Sequence, residues 1–289
     1  MPANYDITEW VNQTTDKSQC EFRQAVHTIL VAIANDEHLR ANMIIKGGIL
    51  LAIRYHSHRY TKDIDFSTSL NLKELNCEKV TQELNSGLLS TVNSLSYDLD
   101  CKVQTCQVNP PNKPDATFPS LNISIGYAYK GTPKHKRLNS GVSPTTIKID
   151  YSLNELMPHI EKLKLGNDDS IRAYALTDLI AEKLRSLLQQ PLRNRNRRQD
   201  VFDLHLLLTL YPKLGKTEKQ KIHDSLVQKS ESRNMVVTID SFDNPEIKER
   251  AQAEYQSLAD EVEGDLPDFD NIFELVLKFY KSLPWRNNQ

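Results

Sequence analysis

Asp63 and Asp65 are separated by one residue and alternate with the apolar side chains of Ile64 and Phe66. Successive side chains of a β-strand point to opposite faces, so this pattern places both carboxylates on one face, about 7 Å apart. Mg²⁺ prefers oxygen ligands and is commonly held by one or two carboxylates together with substrate phosphates. The pattern therefore predicts a divalent-cation site on a strand. The alternative is an edge strand that carries two solvated aspartates.

A turn made of Lys46, Gly47 and Gly48 precedes this pair, with 14 residues between Gly48 and Asp63. It follows three apolar residues that predict a strand (43–45) and precedes a predicted helical segment (49–55). Glycines at such a turn let the backbone approach a ligand closely, and the free N–H groups of a helix start attract phosphate. A phosphate seat followed by a metal-binding carboxylate pair is what nucleotidyl transfer requires.

The whole stretch KGGILLAIRYHSHRYTKDIDFS is similar to the opening motif of the AbiEii/AbiGii toxin-type nucleotidyltransferases, within the DNA polymerase β-type superfamily. The resemblance implies an α/β (α+β) fold, with a mixed sheet flanked by helices and followed by a mainly helical lobe. It also implies Mg²⁺, with Mn²⁺ as an alternative ion, and a nucleoside triphosphate as substrate. The predicted strand Thr146–Tyr151 resembles the family element that carries the third metal-binding carboxylate, here Asp150. Read without the family, Asp150 is an ordinary strand-terminal aspartate.

The second informative stretch, AEKLRSLLQQPLRNRNRRQDVFDLHLLL, begins in a predicted helix up to Leu188. Lys183 lies at the edge of its apolar stripe, where a lysine can extend its ammonium into a cleft. The stretch also resembles the AbiEii-type family, and the resemblance implies that Lys183 binds nucleotide phosphate and that Asp203 is a catalytic aspartate. Asp200 and Arg198 match neighbouring nucleotide-binding positions. The turn before Asp203 is longer than in compact members.

The residues themselves also allow plainer readings of this stretch. Lys183 could be a solvated helix lysine, and Asp203 could pair with an arginine of the turn. The basic side chains here and in the Gly/Pro-bearing turn of residues 130–142 suit an RNA backbone, since phosphate contacts give affinity without sequence information. The predicted RNA-binding residues are Arg193, Arg195, Arg197, Lys134, Lys136 and Arg137.

Composition sets further bounds on the kind of protein. With 289 residues, 39% hydrophobic and 26% charged, the chain is typical of a globular protein that can bury a sizeable core. A net charge of −2 means that only local patches can attract nucleic acid. Neither a secretory signal nor about 20 consecutive apolar residues can be found, which predicts a cytoplasmic protein without a membrane partner. We expect a nucleotidyltransferase-type domain over residues 1–165, a connector from Leu153 to about Asp169, and a helical domain over residues 166–289 that completes a cleft.

The family resemblance implies the toxin of a type IV toxin–antitoxin or abortive-infection system. It implies phage defence or growth arrest, tRNA as acceptor and a cognate antitoxin protein. Three other functions fit the residues: nucleotidyl transfer to a small molecule such as an antibiotic, non-catalytic binding by a protein that keeps the fold, and kinase-like transfer of phosphate.

Overall fold

A computed structural model describes residues 7–113, 115–166 and 169–285. The chain forms two compact units. The first contains the residues up to Arg54 together with Lys62–Glu155 and Glu161–Ala173. The second contains Tyr55–Thr61, Leu156–Ile160 and the residues from Tyr174 onward.

The first unit is built on a seven-stranded mixed sheet with the strand order β3-β4-β5-β2-β1-β7-β6. Strand β2 runs antiparallel to β1 and parallel to β5, while β4 runs antiparallel to both β3 and β5. Strand β1 also pairs with β7 in parallel. The strands are β1 Ile44–Lys46, β2 Asp63–Ser67, β3 Leu99–Asn109, β4 Ser120–Tyr129, β5 Thr146–Ser152, β6 Ile160–Gly166 and β7 Asp169–Tyr174.

The central strands alternate as their sequences predict. In β2 the side chains of Ile64 and Phe66 are fully buried, and in β5 Ile147, Ile149 and Tyr151 are buried. The residues between them point to the opposite, more exposed face. One face of the sheet therefore packs into the core, and the other carries the polar side chains.

Helices occupy much of the remaining chain. They are α1 Ile7–Asn12, α2 Lys17–Asn35, α3 Glu37–Asn42, α4 Gly47–Tyr55, α5 Cys77–Ser94, α6 Pro133–Asn139, α7 Leu176–Leu188, α8 Gln190–Arg193, α9 Arg198–Leu210, α10 Lys216–Glu231, α11 Pro245–Gln252 and α12 Phe269–Lys281. Two short 3₁₀ helices cover Ser241–Asp243 and Tyr255–Asp260. None of the helices described is both long and apolar enough to cross a membrane.

Two segments are more regular than the sequence patterns suggest. The expected connector of residues 153–169 contains strand β6, in which the buried Leu163 and Leu165 alternate with the exposed Lys162 and Lys164, and it ends where β7 begins. The expected turn of residues 130–142 contains helix α6. Thr132 caps this helix by accepting a hydrogen bond from the backbone N–H of His135, and Pro133 occupies its first turn.

In the second unit, helix α7 packs against α9 and α10. It is buried on almost every side, through Leu179, Ile180 and Leu184 among others. It also buries charged side chains, including Asp178 and Lys183. A buried charge is costly unless an opposite charge or hydrogen bonds compensate it. Oppositely charged or hydrogen-bonding groups are therefore expected next to these side chains.

Candidate active site

The Gly-Gly turn brings backbone directly against an aspartate. Strand β1 ends at Lys46, and helix α4 begins at Gly47, whose φ is +70°. A Cβ atom at Gly47 would lie 1.9 Å from Oδ2 of Asp65, far inside contact distance. Only glycine therefore allows this conformation and this approach, and the Asp65 carboxylate lies beside the start of α4. Gly48 follows in the first turn of the same helix.

The three predicted metal-binding aspartates lie on two adjacent strands. Asp65 of β2 is opposite Asp150 of the parallel strand β5, and Asp63 is opposite Lys148 two pairs earlier. Residues opposite each other on adjacent strands share a face, and residues two apart on one strand do as well. Asp63, Asp65 and Asp150 are thus on the exposed face of the sheet.

Polar residues on the neighbouring strands extend this row. Lys46 is opposite Asp65 on the β1 side, and its Nζ donates a hydrogen bond to Oγ of Ser152 at 3.2 Å. On the other side, Asn122 of β4 is opposite Asp150. Ser152 and Asn122 are not among the residues predicted for the site. Ser152 is two residues beyond Asp150, which is a signal for a shared face, whereas Asn122 is placed only by the strand register.

The donor chemistry of this face suits a hard divalent cation. Three carboxylates from adjacent strands supply oxygen ligands, and Mg²⁺ usually takes further oxygens from phosphates and water. In the part of the chain that the structure describes, no three His, Cys, Asp or Glu side chains form a finished metal site.

A second polar cluster, within the second unit, contains Lys183. Nζ of Lys183 donates to Oδ2 of Asp203 at 2.6 Å and to Oδ1 of Asp200 at 3.0 Å. The Asp203 carboxylate also accepts two hydrogen bonds from Arg59, from Nε to Oδ1 at 3.1 Å and from Nη2 to Oδ2 at 3.0 Å. We call these four residues the Lys183 cluster. Lys183 is therefore not a solvated helix lysine.

The cluster keeps its charges although it is buried. Burial alone would lower the pKa of Lys183, but the Asp203 and Asp200 carboxylates outweigh it, so this pKa is raised. Burial alone would raise the pKa of Asp203, but Lys183 and Arg59 outweigh it and lower that pKa. The Arg59 pKa is raised because Asp203 outweighs the effect of burial. Both basic groups and Asp203 are therefore held ionised.

Arg59 is the partner of Asp203 that the sequence does not reveal. The two residues are 144 positions apart, and no periodicity or motif joins them. The basic turn does contact this cluster, through Nε of Arg197, which lies 3.9 Å from Oδ2 of Asp200. Arg198 instead donates to Glu254 at 3.2 Å and to Glu261 at 2.9 Å.

The predicted RNA-binding residues lie in two places, one in each unit. Arg193, the last residue of α8, and Arg195, in the turn before α9, are exposed. Burial, followed by the nearby charges of Arg233 and Arg195, lowers the pKa of Arg193. In the first unit, Lys136 and Arg137 are exposed on α6. Their neighbour Lys134 lies 3.4 Å from Glu21.

The fold has solved relatives. MenT4, a nucleotidyltransferase toxin from Mycobacterium tuberculosis H37Rv, matches with a TM-score of 0.50 and 12% identity, over 96% of this chain and 89% of that chain. JHP933 from Helicobacter pylori matches with a TM-score of 0.42 and 13% identity, over 86% of this chain and 96% of that one. No curated protein has a matching sequence.

The mixed sheet with its Gly-Gly turn and aspartate row is a nucleotidyltransferase fold, as the sequence predicts. The model of a known family, the nucleotidyl transferase AbiEii toxin of type IV toxin–antitoxin systems, matches residues 28–275. This match covers most of the chain, so the protein belongs to the AbiEii toxin family and is a nucleotidyltransferase.

Proposed function

We propose that this nucleotidyltransferase moves a nucleoside monophosphate from a nucleoside triphosphate to a hydroxyl of RNA, with tRNA as the favoured acceptor. The observation that carries the proposal is the side-by-side placement of Asp65 and Asp150 next to the glycine turn at the start of α4. We propose further that the triphosphate is used together with Mg²⁺ and that modification of tRNA arrests growth in phage defence. We also propose that a cognate antitoxin protein is a partner of this chain.

In this reaction an oxygen of the acceptor hydroxyl forms a bond to the α-phosphorus. The bond from that phosphorus to the oxygen bridging the α- and β-phosphates breaks, and pyrophosphate leaves. Asp63, Asp65 and Asp150 would hold Mg²⁺, which when bound stabilises charge on the attacking and leaving oxygens. Asp150 would also help to take the proton of the attacking hydroxyl, and its exposure on the same face supports this role.

The other proposed roles concern the phosphates. Backbone N–H groups at Gly47 and Gly48 would seat a phosphate at the start of α4, with Lys46 adding positive charge. Lys183 would neutralise charge on the triphosphate, since an ammonium acts on phosphate as a point charge. The exposed arginines of the turn before α9, together with α6, would contact the RNA backbone.

A labelling experiment tests the proposal. The protein is incubated with Mg²⁺, total tRNA and each nucleoside triphosphate in turn, labelled on either the α- or the γ-phosphate. We expect α-label, and no γ-label, in the RNA, and none with Asp65→Ala. Transfer of γ-label would indicate kinase-like chemistry. Wild-type labelling no higher than that of Asp65→Ala would refute nucleotidyl transfer to RNA.

A further inference from the structure

Backbone hydrogen bonds hold the segment around Arg59 in place, independently of the contacts of its side chain. It forms an isolated antiparallel bridge with Val262. On either side, the Tyr60 N–H donates to the Glu261 carbonyl at 2.6 Å, and the Glu263 N–H donates to the His58 carbonyl at 3.0 Å. The short segment between α4 and β2 is therefore anchored within the second unit, which determines where the Arg59 side chain starts.

The Arg59 guanidinium and Lys183 ammonium share one carboxylate. Oδ2 of Asp203 accepts hydrogen bonds from Arg59 at 3.0 Å and from Lys183 at 2.6 Å. Within this cluster, Oδ1 of Asp203 accepts a hydrogen bond from Arg59 alone. The Asp203 side chain is fully buried, and that of Arg59 is 11% exposed. A two-pronged hydrogen bond of this kind fixes the plane of the carboxylate, which a single contact does not.

Arg59 supplies the second positive charge within the four residues of the Lys183 cluster, while Arg197 lies farther out, 3.9 Å from Asp200. Two positive groups, Arg59 and Lys183, face two negative groups, Asp203 and Asp200. Without Arg59 the cluster would carry a net negative charge, and the whole Asp203 carboxylate would act on Lys183. That arrangement repels an anionic ligand and holds the ammonium more tightly.

We propose that Arg59 is a positioning residue for nucleotide binding: it orients Asp203 and offsets its charge, so that the ammonium of Lys183 remains available to a triphosphate. Asp203 then acts through Lys183 rather than on the reacting atoms. The inference rests on the proposed role of Lys183 toward the triphosphate. A merely structural Arg59 would matter for the stability of the fold and not for the affinity of the folded protein for nucleotide.

The test measures binding of a triphosphate analogue that cannot be cleaved between the α- and β-phosphates, by calorimetry in the presence of Mg²⁺. Urea unfolding of each variant reports the folded fraction. The variants are Arg59→Gln, Arg59→Lys, Lys183→Met and the double variant Arg59→Gln/Asp203→Asn. Arg250→Gln is the matched control, because Arg250 also pairs with a carboxylate, Glu246, in the second unit.

We expect Arg59→Gln to weaken binding about 10- to 100-fold, the range known for partners that orient a ligating group. The double variant restores the charge balance and should recover most of the affinity, although it is less stable. Arg59→Lys keeps the positive charge but cannot form the two-pronged hydrogen bond to Asp203, so the affinity of this variant for the analogue should be intermediate. Arg250→Gln should bind as the wild type does. If Arg59→Gln does not fold, Arg59→Lys carries the test.

Two results would overturn the inference in different ways. If folded Arg59→Gln, or Arg59→Lys where it replaces it, binds the analogue as the wild type does while Lys183→Met does not, Arg59 has no positioning role and Lys183 keeps its own. If Lys183→Met itself binds normally, the role of Lys183 fails and the inference fails with it. Transfer of α-label by the wild type would still support the proposed reaction in either case.

Discussion

Gly47 lies directly against the Asp65 carboxylate, because a Cβ atom at Gly47 would be 1.9 Å from Oδ2 of Asp65. Gly131 has nearly the same φ, +75°, but a Cβ there would meet nothing within 4 Å. Both alanine variants should therefore lose about 1–2 kcal/mol of unfolding free energy through backbone strain. Only Gly47→Ala should also displace the Asp65 carboxylate, and a displacement of about 1 Å can reduce activity about 100-fold.

Measurements of urea unfolding and of nucleotide transfer on the two glycine variants check this expectation. Equal activities of Gly47→Ala and Gly131→Ala would show that the closeness of Asp65 to the glycine turn has no functional meaning.

Asp65 and Asp150 should be needed for activity and not for stability. Two like charges opposite each other on adjacent strands repel, so Asp65→Asn or Asp150→Asn should leave the unfolding free energy unchanged or raise it by up to about 1 kcal/mol. Each should reduce transfer by more than about 100-fold, beyond the loss typical of residues outside the ligand set. Transfer assays and urea unfolding test this, with Asp115→Asn on an exposed loop as control. Full activity of either variant would remove that aspartate from the site.

At the residue scale, the sequence predicts the groups that follow short-range rules. Asp63 and Asp65 share a face because strand periodicity is two, and the glycines lie where the strand meets the helix. Arg59 could not be predicted, because its role depends on a partner 144 positions away. A buried ion pair between distant residues leaves no local pattern.

At the scale of the elements, the alternating strands β2 and β5 are predicted, but their adjacency is not. Thr146–Tyr151 alternates clearly, yet nothing in its sequence says that it pairs in parallel with β2 and so places Asp150 opposite Asp65. Pro158 and Gly166 predict a connector over residues 153–169, although strand β6 runs from Ile160 to Gly166 within it. The family resemblance only implies a role for Asp150, and the strand order gives its position opposite Asp65.

The ion pairs of the Lys183 cluster connect helices α7 and α9, and their contribution to the unfolding free energy should depend on pH. The pKa of Asp203 is lower in the folded protein than its ordinary value of 3.8. Its contribution to stability is therefore complete above that value and is lost as the pH falls through the folded pKa. Asp203→Asn should lower the unfolding free energy at pH 7 by about 3–5 kcal/mol, because it leaves buried positive charges with one carboxylate fewer.

The measurement is urea unfolding of the wild type and Asp203→Asn at a series of pH values from 7 downward. The difference between them should be constant until about pH 4 and then shrink. Asp260→Asn, which removes an exposed carboxylate from the same unit, should cost little at any pH. A difference that stays the same through the acid range would mean that folding does not lower the pKa of Asp203.

At the scale of the whole molecule, the net charge of −2 leaves RNA binding to local patches. Arg193 and Arg195 are exposed, so replacing both with glutamine should weaken RNA binding and leave nucleotide affinity unchanged. Each phosphate contact contributes about 0.7–0.9 to the slope of log affinity against log salt, so the slope should fall by about 1.5. Titration of tRNA at several salt concentrations measures it. Lys216→Gln/Lys221→Gln, an equal loss of exposed charge on α10, should keep the wild-type slope. If the arginine and lysine variants lose the same slope, the turn before α9 has no special part in binding RNA, and a small-molecule acceptor gains support.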